Sequence, residues 1–373
     1  RGERATASID IQTRPSSQPP LLPLPFRPTP PAVAPHFYTC FLVTRGSASL
    51  YRPLSLSLSP PPPPSPPFTM AKKVLVTGAN KGIGLAVAKG LLEKGCFVYF
   101  GARDAERGAA ALKQIVEAEP KYAPMAQLML LDVSDDASVA AAAAAIKEKG
   151  PLDGLINNAG IADGGFEFTS KEVHNRVVDV NFFGAVRVTQ AMLPLMAEDG
   201  RIVMMSSGAA PMFVAKCSSE KQKFFCNPDI ALEDIKAALE ECKAIAEGAP
   251  DAGAATTAFQ TAGYGPGGSY GLSKAALNSY AMALARANPK LKINACSPGF
   301  VETDLTRPYA VKYGKTAQEM GMISPEKGAQ SSLFLMLGDV PTPSGKAYYY
   351  GSDSLRSPLH ILRNPGDPAY EGE

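Results

Sequence analysis

Tryptophan is absent from this 373-residue chain, and histidine occurs three times, at His36, His174 and His360. Three imidazoles are too few for an obvious metal cluster. The six cysteines, Cys40, Cys96, Cys217, Cys226, Cys242 and Cys296, stand at no CxxC or CxxH spacing, so they read as free thiols in a reducing compartment. No run of about 18 apolar residues exists, and a membrane-spanning helix is not indicated. A large charge of one sign is missing too: 37 basic against 35 acidic residues leave a formal net charge of +2. Residues 1–69 hold six Arg, no Lys and two acids, so the remainder counts 31 basic against 33 acidic and carries no nucleic-acid footprint.

What is present suffices for one large globular domain or two small ones, with 45% hydrophobic and 19% charged residues. Proline is unevenly spread. Seventeen of the 34 lie in residues 1–69, which include LSLSLSPPPPPSPP, a low-complexity tract unable to bury enough apolar surface to offset its ordering entropy. No fold is expected there. The first residue is Arg, and the first methionine is Met70, directly before AKKVLVTG. The segment therefore reads as translated untranslated-region sequence or a gene-model artefact; the competing reading is an organelle transit peptide, since it is rich in Arg and Ser and poor in acids. Residues 70–373 read as one domain.

From Lys73 onward short apolar runs alternate with helical stretches: VLVTG, a helix to Leu92, FVYFG, a helix to Glu119, AQLMLLD, an Ala-rich helix, then LDGLINNAG. That alternation predicts an α/β fold, a doubly wound parallel sheet with helices on both faces. The first strand runs into TGANKGIG, with Gly78, Gly82 and Gly84 at the strand-to-helix turn. Glycine is required where a chain turns sharply and an anionic pyrophosphate approaches bare backbone at a helix N-terminus. Further on, Tyr270 precedes Lys274 by four places in SYGLSK, one helical turn apart, and no other of the 13 tyrosines has a lysine at that spacing.

Taken in order, TGxxxGxG at 77–84, NNAG at 157–160, the Ser206-Ser207 pair and YxxxK at 270–274 resemble the short-chain dehydrogenase/reductases, over residues 72–352. The resemblance implies a single Rossmann-type domain that binds a nicotinamide dinucleotide. It implies cofactor contacts at Gly78, Asn80, Lys81, Gly82, Ile83 and Gly84, at Asp132 (adenine amino group) and Val133, and at Asn158, Ala159 and Gly160. Pro298, Gly299 and Val301 of SPGFVET would lie against the nicotinamide, with Thr303 near its amide or a phosphate. At the end of the second strand, YFGARD, an acid would select NAD; Ala102 and Arg103 stand there instead, and Lys81 adds a second cation, so NADP(H) is expected. Asp104 reads as the cap of the following helix.

Carbonyl reduction needs a proton donor, and a free phenol, with a pKa of about 10, is a poor one at neutral pH. A neighbouring Lys274 cation would stabilise the phenolate and bring Tyr270 toward working pH. By resemblance, Ser207, the second of its pair, would hydrogen-bond the substrate oxygen. Lys274 would also hold ribose hydroxyls, and Asn181 in VVDVNFFG, on a long predicted helix, would hold a water that relays protons to Lys274.

Ser207 and Tyr270 are 63 residues apart, whereas the shortest family members separate them by about a dozen. The insertion, about 208–268, contains PDIALEDIKAALEECKAIAEG with Ile235, Leu239, Cys242 and Ala246 on one apolar stripe, ended by Gly248 and Pro250, after which a Gly-rich run returns to Tyr270. This arrangement is similar to monomeric carbonyl reductases and the plant menthone and salutaridine reductase-like branch, which implies a monomer. The expected activity is NADPH-dependent reduction of a ketone or aldehyde on a small lipophilic molecule, with no metal, nucleic-acid or membrane partner, in the cytoplasm or, if residues 1–69 are a transit peptide, the plastid. The rivals are an NAD-linked alcohol dehydrogenase of the same fold and a catalytically silent NADP-binding regulatory protein.

Overall fold

The computed structural model describes residues 71–163, 168–265, 268–351, 355–356, 359–361 and 363. The Pro/Ser-rich segment 1–69 and the residues beyond Arg363 lie outside them. Among the described residues eight strands form one sheet: β1 Lys73–Val76, β2 Phe97–Ala102, β3 Ala126–Leu130, β4 Leu152–Asn157, β5 Met196–Met205, β6 Lys292–Cys296, β7 Tyr349–Tyr350 and β8 Leu355–Arg356. Their spatial order is β3-β2-β1-β4-β5-β6-β7-β8. Every pair through β7 is parallel, with Val74, Leu75 and Val76 in register with Val98, Tyr99 and Phe100 on one side and Gly154, Leu155 and Ile156 on the other. The sheet departs from the all-parallel expectation at its edge, where β8 pairs antiparallel with β7. Only residues 351–354 join these strands, too few for the crossover that a parallel pair requires.

Among the described residues twelve α-helices flank the sheet: α1 Gly82–Glu93, α2 Ala105–Ala118, α3 Asp136–Lys147, α4 Lys171–Val178, α5 Gly184–Met192, α6 Ala209–Val214, α7 Ser219–Phe225, α8 Leu232–Gly248, α9 Ala252–Thr261, α10 Ser269–Ala287, α11 Arg307–Lys312 and α12 Pro325–Leu337. The VLV run of β1 is buried on both faces because a core lies on each side. On one, Val74 and Val76 meet Val87, Leu91 and Met336 of α1 and α12. On the other, Leu75 joins the residues of α3, α5 and α10. Asp104 caps α2 as expected, its carboxylate accepting from Arg107 N at 2.9 Å.

Strand order reverses between β1 and β4, so the loops leaving these two strands diverge to opposite faces and open a crevice at the carboxyl end of the sheet. The long helix expected around Asn181 is two α-helices, α4 and α5, joined by a single π turn at Asp179–Phe183. Such turns interrupt the i to i−4 ladder and recur at functional sites.

Four helices, α6 to α9, fill the insertion. On α8 the stripe Ile235, Leu239, Cys242 and Ala246 is buried, packed toward α4 and α10. It starts later than its sequence suggests, at Leu232, because the Asp234 carboxylate accepts from Ala231 N at 3.0 Å and closes the helix start there. The expected Gly-rich return after Pro250 is instead α9, capped by Asp251, which accepts from Ala254 N at 2.8 Å; alanine and threonine dominate that segment, and its positive-φ glycine, Gly263, comes only after the helix ends. No helix among the described residues is long and apolar enough to cross a membrane. Because Ile235 is fully buried, Ile235→Ala should cost about 2–5 kcal/mol in urea unfolding; a loss below about 0.5 kcal/mol, the range of a surface change, would show that α8 does not pack in this way.

Candidate active site

Thr77, immediately after β1, ties the two central strands together. Its Oγ1 accepts from Asn158 N and Ala159 N, both at 2.9 Å, while Asn158 Nδ2 donates back to Thr77 O at 2.9 Å and Gly78 O at 3.2 Å. The side-chain nitrogen of Asn158, a residue expected to contact the cofactor, is thus committed to the glycine turn, although the residue does border the cleft. The turn needs its glycines: Gly78 and Gly82 have φ of +64° and +55°. A Cβ on Gly84 would stand 2.2 Å from Gly78 O and 2.5 Å from Asn158 Nδ2. The α1 helix then opens at Gly82 with no side-chain cap from Lys81, which leaves its first N–H groups facing the cleft.

Arg103 lines the cleft as expected, followed by Asp104 and, one turn into α2, Arg107. Lys81 is engaged differently from the expectation. Its ammonium lies 2.8 Å from Asp304 Oδ2, on the loop after β6, because the start of α1 faces that loop: a Cβ on Gly82 would come within 3.2 Å of Thr303 Cγ2. The second cation after Arg103 is therefore Arg107, paired with Asp104 at 2.9 Å. Asp132 also borders the cleft. Burial works to raise its carboxyl pKa, but hydrogen bonds from the Ser134 hydroxyl and N–H, with Arg103 and Arg187 nearby, hold it below the ordinary value. Arg187 donates to Val133 O at 2.6 Å and fixes the neighbouring backbone.

At the other end of the cleft stand Ser207, Tyr270 and Lys274. Ser206 Oγ turns away to the Lys274 carbonyl at 3.4 Å, whereas the Ser207 hydroxyl, which accepts from Ala209 N at 3.2 Å, lies near enough to the Tyr270 phenol to favour its ionised form. Lys274 Nζ donates to Met205 O at 2.7 Å and sits 5.7 Å from the centroid of the Tyr270 ring. Burial lowers the pKa of this ammonium to about 8. Burial also raises the Tyr270 phenol, against the opposing Ser207 hydroxyl, and Tyr309 of α11 pushes it further up. The expected lowering of Tyr270 by Lys274 is thus not what the packing produces. Desolvation drives the two groups apart, lowering the Lys274 ammonium below its ordinary value and raising the Tyr270 phenol above its own.

Asn181 lies in the same region and bonds protein groups through its side chain. Its Oδ1 accepts from Ile161 N at 2.8 Å, and its Nδ2 donates to Ile161 O at 2.9 Å and Ser273 Oγ at 3.0 Å. The side chain fastens the loop after β4 to α10, so its amide is spent on protein groups. Gly160 makes this possible, since a Cβ there would lie 3.2 Å from Asn181 Oδ1 and 3.4 Å from Lys274 Nζ.

The loop after β6 closes the cleft. Gly299 has φ +86°, Val301 bridges Ile323, and Thr303 N donates to Thr306 Oγ1 at 3.0 Å. Pro298, Gly299, Val301 and Thr303 border the cleft, as do Asn80, Ile83, Val133 and Ala159. The continuous cavity measures about 980 Å³ and runs from Arg103 and Asp132 to Ser207 and Tyr270. A dinucleotide fits this arrangement on two observations: a bare-backbone cradle that a Cβ on Gly82 would fill, and uncapped N–H groups at the start of α1. Sequence reasoning passed over four contributors. The hydroxyl of Thr77 is signalled by its place between strand and glycine; Met205 acts only through its carbonyl, and Arg107 and Tyr309 carry no local motif. Among the described residues no group of His, Cys, Asp and Glu could hold a metal ion.

The model of the short chain dehydrogenase family matches residues 72–219. The chain is 33% identical over 287 residues to carbonyl reductase (NADPH) 1 of Homo sapiens, covering 73% of this chain and 94% of that one. Among solved structures it is similar to the menthone neomenthol reductase of Mentha piperita, with TM-score 0.60 and 26% identity over 76% of this chain and 99% of that one. Salutaridine reductase of Papaver somniferum shares the fold at TM-score 0.62 and 24% identity, covering 75% and 99%. A methyl group at the glycine turn tests the cradle: Gly84→Ala should weaken adenine dinucleotide binding at least about tenfold, roughly 1.4 kcal/mol. Unchanged affinity by fluorescence titration of the folded variant would contradict the geometry.

Proposed function

The chain belongs to the short-chain dehydrogenase/reductase family, and on that premise we propose that it reduces the carbonyl of a small lipophilic ketone or aldehyde to the alcohol. It is an oxidoreductase that takes NADP(H). Bound NADPH supplies the hydride. The N–H groups opening α1 and the glycine turn receive the pyrophosphate, Arg103 with Arg107 receives the additional phosphate, and Lys274 meets the ribose hydroxyls. Pro298, Gly299 and Val301 support the nicotinamide, with Thr303 beside it.

The observation that carries this reading is that Ser207 and Tyr270 line the same cavity as the α1 N-terminus. A substrate oxygen lodged between these two hydroxyls receives a hydrogen bond from Ser207 and, as negative charge develops on it, the proton of Tyr270. The raised pKa of Tyr270 suits this direction because it keeps the acid loaded at neutral pH. Lys274, charged below about 8, then stabilises the phenolate left behind. Asn181 acts by holding the loop and α10 in place. The insertion supports a monomer, since α8 is laid against α4; light scattering that returned a dimer mass would overturn that part. The free cysteines, Cys96, Cys217, Cys226, Cys242 and Cys296, suit the reducing cytoplasm, and cell fractionation that recovered the protein from plastids would contradict this placement.

Tyr270→Phe should lower ketone turnover about 100- to 10,000-fold, the usual range for a lost general acid, while NADPH binding persists. A panel of quinones, terpenoid ketones and aromatic aldehydes, followed by NADPH absorbance, measures it; equal turnover by the variant would remove Tyr270 from the mechanism. In the same assay Arg103→Ala should narrow the preference for NADPH over NADH, and an initial preference for NADH would refute the role of Arg103. The pH dependence carries its own sign. Because the Lys274 ammonium is lost as pH rises through about 8, kcat/KM for NADPH, which reports free-enzyme ionisations, should be level below that value and fall above it. A profile level to pH 10 would be inconsistent with a functional charge on Lys274.

A further inference from the structure

A second cavity, of about 330 Å³, lies where the inserted helix α8 meets α4 and the π turn. His174 borders it and is 1% exposed. Its Nδ1 is 3.0 Å from Ser269 Oγ, and its Nε2, also buried, has no hydrogen-bond partner among the described residues. Beside it Asn175 donates through Nδ2 to Glu247 Oε1 at 3.2 Å, which leaves Oδ1 buried and equally without a partner. Two unmet polar atoms on residues that line one cavity are costly, about 1–3 kcal/mol each, unless something in it answers them.

The surroundings narrow what that can be. Val178, Phe183 and Leu239 supply apolar walls. Asp179, Glu240 and Lys243 complete the lining with a net formal charge of −1, which disfavours an anion. Burial holds His174 neutral at physiological pH, its pKa lowered to about 4, so no buried cation is available to receive a carboxylate or phosphate. Asn175 Oδ1 accepts only, so the occupant must donate; a ketone or aldehyde does not. The imidazole Nε2 takes either role according to its tautomer. A hydroxyl group meets both demands at once.

We propose that this cavity binds a small neutral alcohol or phenol, its hydroxyl between His174 Nε2 and Asn175 Oδ1 and its apolar body against Val178, Phe183 and Leu239. The site stands apart from the catalytic cleft and does not depend on what the cleft reduces. It is joined to that cleft by a short path: His174 bonds Ser269, the first residue of α10 and the immediate neighbour of Tyr270.

The probe is 4-ethylphenol, titrated into the full chain saturated with NADPH and followed by the methyl NMR signals of labelled Leu and Val. The expected result is saturable movement of the Val178 and Leu239 methyls, with binding at least about tenfold weaker for ethylbenzene, which lacks the hydroxyl. Asn175→Leu, which removes the acceptor, and Leu239→Phe, which fills the cavity, should each weaken 4-ethylphenol by at least about tenfold with NADPH binding retained. Should Leu239→Phe not fold, the partly exposed position of Asn175 keeps the comparison intact. Equal binding of ethylbenzene, equal binding by Asn175→Leu, or shifts confined to cleft residues such as Val301 would overturn the proposal.

Discussion

An ammonium ion held out of water at the carboxyl end of β5 is the constraint on which the rest of the site depends. Lys274 is 3% exposed, and a cation in such a place is costly unless dipoles surround it. The carbonyl of Met205 supplies one, at 2.7 Å, and the face of the Tyr270 ring contributes weakly at 5.7 Å. Moving α10 relative to β5 would strand that charge. The helix is accordingly fixed along almost its whole length: its residues from Ser269 to Ala281 are all buried. Tyr270 inherits its position from this arrangement, as does Ser273, which receives Asn181. The small residue at Gly160 follows from the same crowding, because it leaves space for the Lys274 head group.

The opposite end of the cleft is organised by neutral hydrogen bonds. Thr77 and Asn158 lace the ends of β1 and β4 together where the strand order reverses, and the glycine turn hangs from that lacing. Between the two ends an exposed ionic chain crosses from Lys81 through Asp304 to Arg307. Charges so open to solvent contribute little to stability, about 0–1 kcal/mol. They join the glycine turn to the start of α11, which carries Tyr309, so the wall above Tyr270 is attached lightly and the floor beneath it firmly. Such an assignment of rigidity suits a cleft that must admit a substrate and then exclude water.

Much of this was legible in the residues. The alternation of VLVTG, FVYFG and LINNAG with helical stretches specifies the parallel sheet, because buried central strands need apolar residues on both faces. TGxxxGxG and YxxxK placed the cleft at both its ends, and the stripe Ile235, Leu239, Cys242, Ala246 marked a helix that had to be covered. The misses have common causes. The antiparallel β8 and the helix α9 lack strong local periodicity and are determined by connection length and a capping Asp251. The partners of Lys81, Asn158 and Asn181 are distant in sequence, at Asp304, Gly78 and Ile161, and no local pattern encodes which hydrogen bond a side chain will complete. The balance between desolvation and charge at Tyr270 and Lys274 is likewise a property of the packed interior. A motif names the residues but not their dielectric.

The electrostatic half of the functional reading is that folding removes Lys274 from water, which lowers its pKa yet leaves it charged at neutral pH. The most direct measurement is a titration of Lys274 in the ligand-free protein, using lysine labelled at Cε and Nζ and assigned by comparison with Lys274→Arg. A midpoint near 8 is the predicted result. A midpoint at or above the ordinary lysine value of about 10.4 would contradict it, since the ammonium would then be solvated or paired with an anion rather than buried against Met205 and Tyr270.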